Sequence, residues 1–279
     1  MSKVVIIGGG HAGANTAFAL RKDGFKGEIN ILCDESYLPY HRPPLSKDFL
    51  KQKVQEDKLS FKQAEFYNDQ TISVHLNTRV NSIDLESNTV GSDDASFDFD
   101  YLVFATGSAP RLLSMENADA KNLFYLRKIS DVLSLQKFTT TGKKIVLIGG
   151  GYIGLEVASA MIEMGLEVTI LESEDRILKR VTSPELSKFY NDYHSKMGVE
   201  IICGAKVNEL IAENQNINSV YLESGEKIAA DIVLVGIGAI PNIQLAESIG
   251  LVCDNGIKTD QFCRTSSPNI LAVGDCTSS

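Results

Sequence analysis

Cysteine is scarce in this chain and badly placed for chemistry. Cys33, Cys203, Cys253, Cys263 and Cys276 form no C-x-x-C pair and no metal-ligand spacing. This excludes a disulfide framework and a cysteine metal centre, and leaves reduced, unpaired thiols. A basic excess is missing as well. Against 36 Asp and Glu stand 27 Lys and Arg, and a net charge of −9 offers no means of displacing the counterions of a nucleic acid. No apolar run approaches the length needed to cross a membrane. The first strand pattern begins at Val4, which leaves no room for a signal peptide, so the expected location is cytoplasmic. The composition is otherwise that of a soluble protein, and 279 residues suffice for two domains.

What is present starts at Val4-Val5-Ile6-Ile7, a β-branched run that reads as a buried parallel strand. Gly8, Gly10 and Gly13 follow, enclosing His11 and Ala12, in the G-x-G-x-x-G spacing of a dinucleotide turn. The first glycine permits the tight turn, the second lets a pyrophosphate approach the backbone, and the third lets the helix pack on the strand. Phosphates then meet the free N–H groups at a helix N-terminus. A helical pattern over 14–20 leads to a second strand, Ile29–Leu32, and then to Asp34-Glu35. That acid lies 34 − 13 = 21 positions past the last glycine, where a ribose hydroxyl needs an acceptor.

The second half repeats the first after 149 − 8 = 141 residues. Lys144–Ile148 is strand, and Gly149, Gly151 and Gly154 enclose Tyr152 and Ile153. A helix over 155–164 and the strand Val168–Leu171 end at Glu172, 172 − 154 = 18 positions past the last glycine. Strand, glycines, helix and carboxylate, placed twice, point to two nucleotide sites in an α/β fold built from two Rossmann-like domains.

The intervening segments are read more plainly. Leu38-Pro39-Tyr40-His41-Arg42-Pro43-Pro44-Leu45-Ser46-Lys47 is either a solvated connector or a rigid loop delivering Arg42 and Lys47. Its prolines are expected to delay a helix until Ser46 caps one that starts at Lys47. From Arg42 to Lys62, six Lys/Arg against three Asp/Glu give 6 − 3 = +3, either a solvated face or a patch that steers an acidic partner. Residues 71–104 alternate as strands and hairpins, and their six acids from Asp84 to Asp100 are expected to face water. Tyr101–Phe104 runs into Ala105-Thr106-Gly107-Ser108-Ala109-Pro110-Arg111, a crossing between domains with backbone close to a ligand. Ser183 and Pro184 start a helix stopped by Gly198, whose Leu186, Phe189, Tyr190, Tyr193 and Met197 are expected in the core. Gly236-Ile237-Gly238 and Ala272-Val273-Gly274-Asp275 follow later strands. Asp275 is placed to point into a ligand cleft, although a lone aspartate there also reads as a turn residue.

The order of these motifs resembles the two-dinucleotide-binding flavoproteins, the FAD-dependent pyridine nucleotide-disulfide oxidoreductases. Arg42-Pro43-Pro44-Leu45-Ser46-Lys47 is similar to the NADH-dependent ferredoxin reductases that serve Rieske oxygenases and cytochromes P450. The resemblance covers essentially the whole chain. It implies FAD in the first nucleotide site, touched by Gly8, Gly10, His11, Ala12, Gly13, Asp34 or Glu35, Arg42, Lys47, Val80, Ala105, Thr106, Gly107, Arg111 and Asp275. It implies NADH in the second, touched by Gly149, Gly151, Tyr152, Ile153, Gly154, Glu172, Arg180 and Gly238. Lys47 is implied beside the flavin ring and paired with Glu156, which also reads as a first-turn acid favoured by the helix dipole.

Glu172 would repel a 2′-phosphate, so NADH is expected over NADPH, with Arg176 and Arg180 nearby as a counterweight. The redox cysteine pair that related disulfide reductases place beside the flavin and the C-x-x-C of thioredoxin reductases have no counterpart here, and the loop 36–47 lacks the single cysteine of related peroxidases and coenzyme A disulfide reductases, which argues against sulfur chemistry. The expected function is an NADH reductase passing electrons singly to a ferredoxin-type or rubredoxin-type protein. A monodehydroascorbate or quinone reductase is the alternative enzyme, and an NADH-sensing flavoprotein like apoptosis-inducing factor the alternative of another class.

The expected domains are an FAD-binding domain, residues 1–112 and 240–279, and an NAD-binding domain, residues 113–239. Relatives of this pattern continue into a C-terminal interface domain that often dimerises or docks the partner. This domain is expected to be absent from the chain, and a homodimer is compatible with the pattern.

Overall fold

The computed structural model describes residues 1–278. The β-branched runs form the centres of two five-stranded parallel sheets. In the first, the strands run in the order Ile270–Ala272, Tyr101–Phe104, Lys3–Ile7, Glu28–Leu32, Ile72–His75. In the second, the order is Glu200–Cys203, Glu167–Glu172, Lys144–Ile148, Ile232–Val235, Leu123–Tyr125. Near-continuous apolar strands need cover on both faces, and each sheet has a fingerprint helix on one side and a three-stranded antiparallel meander on the other. The meanders are 80–98 in the first case and 207–229 in the second. The α/β architecture with a repeated dinucleotide-binding unit is therefore the one observed.

The chain divides into two compact units, one made of 1–41, 57–109 and 239–279, the other of 42–56 and 110–238. The second contains the segment 42–56, which the sequence pattern assigns to the first. In the first unit, Val5, Leu102, Phe104, Val90 and Phe99 fill the core on the meander side, and Ile6, Ile29, Ile31, Val103 and Tyr67 the core on the helix side. In the second, Val146, Val233, Leu171, Leu210 and Val220 do the same against its meander.

Two local expectations are overturned. Pro43 and Pro44 do not delay helix: they open a 3-10 turn over Pro43–Ser46 with Lys47 as its C-cap, because a first turn needs no N–H from them. The helix Pro184–Lys196 starts as expected, with Ser183 accepting from the Leu186 N–H at 3.4 Å. Its apolar residues nevertheless do not enter the core. Leu186, Phe189, Tyr193 and Met197 are exposed and Tyr190 is half-buried, while Ser187 and His194 are the buried pair. The Ser187 hydroxyl donates to the Ile177 carbonyl and fixes which side faces inward. Burial pushes the His194 pKa down. Periodicity identifies a stripe, but not the neighbour that covers it. The six acids between Asp84 and Asp100 are exposed, as expected.

Arg21, in the last turn of the helix His11–Lys22, ties down two loops of the first unit. Its guanidinium donates to the carbonyls of Gln70 at 2.7 Å, Phe25 at 2.8 Å, Gly27 at 2.9 Å and Thr71 at 2.6 Å. Charged donors make the stronger hydrogen bonds, and a planar fork reaches several acceptors at once. Arg21→Ala is expected to cost about 1.5–3 kcal/mol, and Arg21→Lys to recover only part of it. The urea midpoint of each variant checks this, and an unchanged midpoint in the alanine variant would remove Arg21 from the account.

Candidate functional site

Each fingerprint turn is built by three glycines with three different surroundings. Gly8 has φ +115°, and a Cβ there would lie 2.2 Å from the Ala105 carbonyl oxygen. On Gly13 it would lie 2.0 Å from the Gly8 carbonyl oxygen. On Gly10 it would meet nothing within 4 Å. The second turn repeats this. Gly149 has φ +113° and would meet the Gly236 carbonyl at 2.4 Å, Gly154 would meet Gly149 at 2.2 Å, and Gly151 faces open space. The outer glycines are required by packing inside the protein, whereas the middle glycines are not. Gly10 and Gly151 are also the N-caps of their helices, and neither supplies a side-chain cap. A bare helix N-terminus beside open space is a cradle for a phosphate. Both cradles therefore fit a dinucleotide.

Around the first cradle, Gly8 N–H donates to the Leu32 carbonyl and Ala105 N–H to the Ile7 carbonyl, both at 2.9 Å. Thr106 and Asn242 are stapled by three bonds. The Thr106 hydroxyl donates to the Asn242 carbonyl at 2.7 Å, the Asn242 amide to the Thr106 carbonyl at 2.8 Å, and the Asn242 N–H to the Gly107 carbonyl at 2.9 Å. A Cβ on Gly274, which has φ +82°, would lie 2.7 Å from that of Ala12, so the loop carrying Asp275 runs beside the helix N-terminus. Asp275 is exposed and accepts from the Ser108 hydroxyl at 3.3 Å. His11 stands edge-on to Phe61 with 4.8 Å between ring centroids, and His41 to Phe61 with 4.3 Å. Asn242, His41 and Phe61 carry no spacing signal, and the fold alone brings them there.

Three expected residues behave differently from one another. Val80 is buried in the core, which leaves only its backbone for a ligand. Glu35 accepts from the Tyr40 hydroxyl at 2.8 Å, and Asp34 is exposed. Strand register pairs Ile7 with Leu32 and Ile148 with Leu171, so Cys33 is the counterpart of Glu172 and the two acids follow it. Its sulfur lies where a Cβ on Gly9 would reach, at 2.2 Å. Burial, then Asp34 and Glu35, push the Cys33 thiol up to about 12, so it is no nucleophile at neutral pH.

In the second unit, the Glu172 carboxylate accepts from Gly150 N–H at 2.8 Å and Glu174 N–H at 2.9 Å, which orients it at the strand end. Tyr152 and Ile153 are exposed at the mouth of the cradle, Arg180 is exposed, and Arg176 turns onto the Lys179 carbonyl at 3.1 Å. Arg111 N–H donates to the Gly238 carbonyl at 2.9 Å. Lys47 pairs with Glu156 at 2.6 Å, and Ser46 Oγ donates to the same oxygen at 2.5 Å. Arg42 donates to the Arg127 carbonyl at 2.6 Å.

Much of the local positive charge is neutralised in place. Lys51 and Lys53 both bind Glu163, whose carboxyl they hold down at about 2, and Lys58 pairs with Asp57. The basic patch is thus weaker than its residue count. Among the described residues, no cluster of three or more His, Cys, Asp or Glu is placed to hold a metal ion, and no helix is long and apolar enough to cross a membrane.

The glycine surroundings separate folding from binding. Gly13→Ala is expected to cost about 1–3 kcal/mol, since its methyl must displace backbone. Gly10→Ala is expected to cost less than about 1 kcal/mol, because its methyl enters open space, yet to lose nucleotide. Thermal melts and bound-nucleotide content of the two purified variants check the contrast, and equal nucleotide retention in Gly10→Ala would remove the cradle.

Comparison with known proteins agrees with this geometry. The pattern of the pyridine nucleotide-disulphide oxidoreductases matches residues 2–279. The chain is 40% identical over 274 residues to rubredoxin-NAD(+) reductase of Pseudomonas putida, covering 98% of this chain and 71% of that protein. It is 40% identical to putidaredoxin reductase of the same organism, covering 98% of this chain and 66% of that protein. Its fold matches the reductase in the covalent putidaredoxin reductase–putidaredoxin complex with a TM-score of 0.96 and 39% identity, over 99% of this chain and 68% of that one. A ferredoxin reductase from Rhodopseudomonas palustris matches with a TM-score of 0.96 and 37% identity, over 99% of this chain and 69% of that one. The chain belongs to the pyridine nucleotide-disulphide oxidoreductase family, on its branch of NAD-linked ferredoxin and rubredoxin reductases.

Proposed function

We propose that this protein is an FAD-dependent NADH reductase that delivers electrons one at a time to a ferredoxin-type or rubredoxin-type iron–sulfur protein. The observation that carries the proposal is the pair of cradles, each open only at its middle glycine, in a chain 40% identical to a rubredoxin-NAD(+) reductase. FAD is assigned to the unit of Gly8, Gly10 and Gly13, with Asp34, Glu35, Thr106 and Asp275 as polar contacts. NADH is assigned to the unit of Gly149, Gly151 and Gly154, with Glu172 on the ribose. When bound, the flavin supplies the exchange between a hydride and single electrons, so the protein needs no acid–base dyad.

The work left to the chain is binding and tuning. Gly10 and Gly151 admit the pyrophosphates, and the helix N-termini favour their charge. Lys47, held by Glu156, is assigned the role of a cation that stabilises negative charge on the reduced ring. Cys33 and Cys276 are buried thiols and take no part. A location in the cytoplasm is proposed from the five unpaired thiols.

Purified protein titrated with NADH under anaerobic conditions is expected to lose its oxidised flavin bands and to regain them when a rubredoxin or ferredoxin is added. Flavin that NADH does not bleach would end the reductase reading. With NADPH the kcat/KM is expected to be lower by about tenfold or more, because the Glu172 carboxylate opposes a 2′-phosphate; parity between the two cofactors would contradict that role. Lys47→Ala is expected to slow flavin reduction by about tenfold or to lower flavin content, since a lost charge contact is worth roughly 1.4 kcal/mol. Stopped-flow reduction and flavin absorbance read both effects, and wild-type values in each would clear Lys47 of the role.

A further inference from the structure

The helix Pro184–Lys196 turns its largest apolar side chains away from its own unit. Leu186, Phe189, Tyr193 and Met197 are 44%, 60%, 53% and 54% exposed. They follow at spacings of three and four residues, so they make one continuous stripe rather than scattered exposures. The rings of Phe189 and Tyr193 are stacked, 6.3 Å apart. A contiguous apolar stripe of this kind marks an interaction face.

The charges beside the stripe identify what covers it. Glu185 and Lys196, both exposed, are 196 − 185 = 11 positions apart, about three turns, so they share one flank at opposite ends of the helix. When two such helices pack antiparallel about a twofold axis, the same flanks face each other. With the axis near Asn191, Glu185 of one copy meets Lys196 of the other, and the symmetry makes that pair twice. In the same register Leu186 meets Met197 and Phe189 meets Tyr193. The parallel arrangement keeps Glu185 and Lys196 at opposite ends of the pair, so neither ion pair forms. Lys188 and Asp192, paired within the helix at 2.7 Å, are unaffected.

We infer that this face is an isologous contact between two copies of this chain, a role separate from the reductase reading and independent of it. The pattern is self-complementary, as a twofold interface requires. One helix per copy lies at the low end of interface size, below about 1,200 Å², so the dimer is concentration-dependent.

Sedimentation equilibrium of the 279-residue protein, run from micromolar to sub-millimolar concentration, is expected to show the mass rising from one copy toward two. Phe189→Glu combined with Tyr193→Glu is expected to hold it at one copy with an unchanged circular dichroism spectrum, since both positions are exposed. Glu185→Lys alone is expected to raise the dimer Kd by about tenfold, and the addition of Lys196→Glu to restore it, because the pair is then only reversed. A single copy at every concentration overturns the inference. So does a dimer indifferent to the two glutamates, which would place the contact elsewhere, or a double charge swap no better than the single one.

Discussion

The contact on which the rest depends is the approach of a helix to a strand end, closer than any side chain allows. At Gly13 against Gly8, and again at Gly154 against Gly149, the third glycine lies against the carbonyl of the first. The missing Cβ lets the helix start directly above the strand, which aims its first N–H groups and the positive end of its dipole into the space beside the middle glycine. Ala105 and Gly236, each bonded to the fingerprint strand, close the other side of the turn. Packing density and phosphate recognition thus come from the same few atoms.

Charge is used sparingly around these cradles. The chain is acidic, and most lysines of the segment after the second strand are bound to Glu156, Asp57 or Glu163 rather than offered to solvent. The pairs at Glu163 lie at the surface, with Lys51 half-buried and Lys53 exposed, and contribute little stability individually. Their effect is on orientation, holding the lysines against the helix Tyr152–Glu163. The two strand-end positions differ in the same economical way: Glu172 is a carboxylate held by two backbone N–H groups, and Cys33 is a buried thiol packed on Gly9.

The central strands of both parallel sheets, both fingerprint helices and the glycines of both cradles could be read from the chain, because strand runs, glycine spacing and helix length are local patterns with few competing solutions, whereas the short edge strand Leu123–Tyr125 carries no such pattern. The proline segment departs from its pattern because two prolines can open a 3-10 turn as readily as they prevent a helix. The apolar stripe of Pro184–Lys196 departs from the core expected of it because periodicity reports which residues share a face and says nothing of what lies opposite.

By itself the sequence determined that two dinucleotide turns exist, where each begins, and that no cysteine pair attends them. These depend on backbone conformations that only glycine adopts and on residues adjacent along the chain. The tertiary structure decided the rest: that Asn242 staples Thr106, that Cys33 rather than Asp34 takes in the first unit the strand-end position that Glu172 takes in the second, and that Phe189 and Tyr193 face outward. Each depends on residues from distant segments meeting in space, and chain spacing does not encode that meeting.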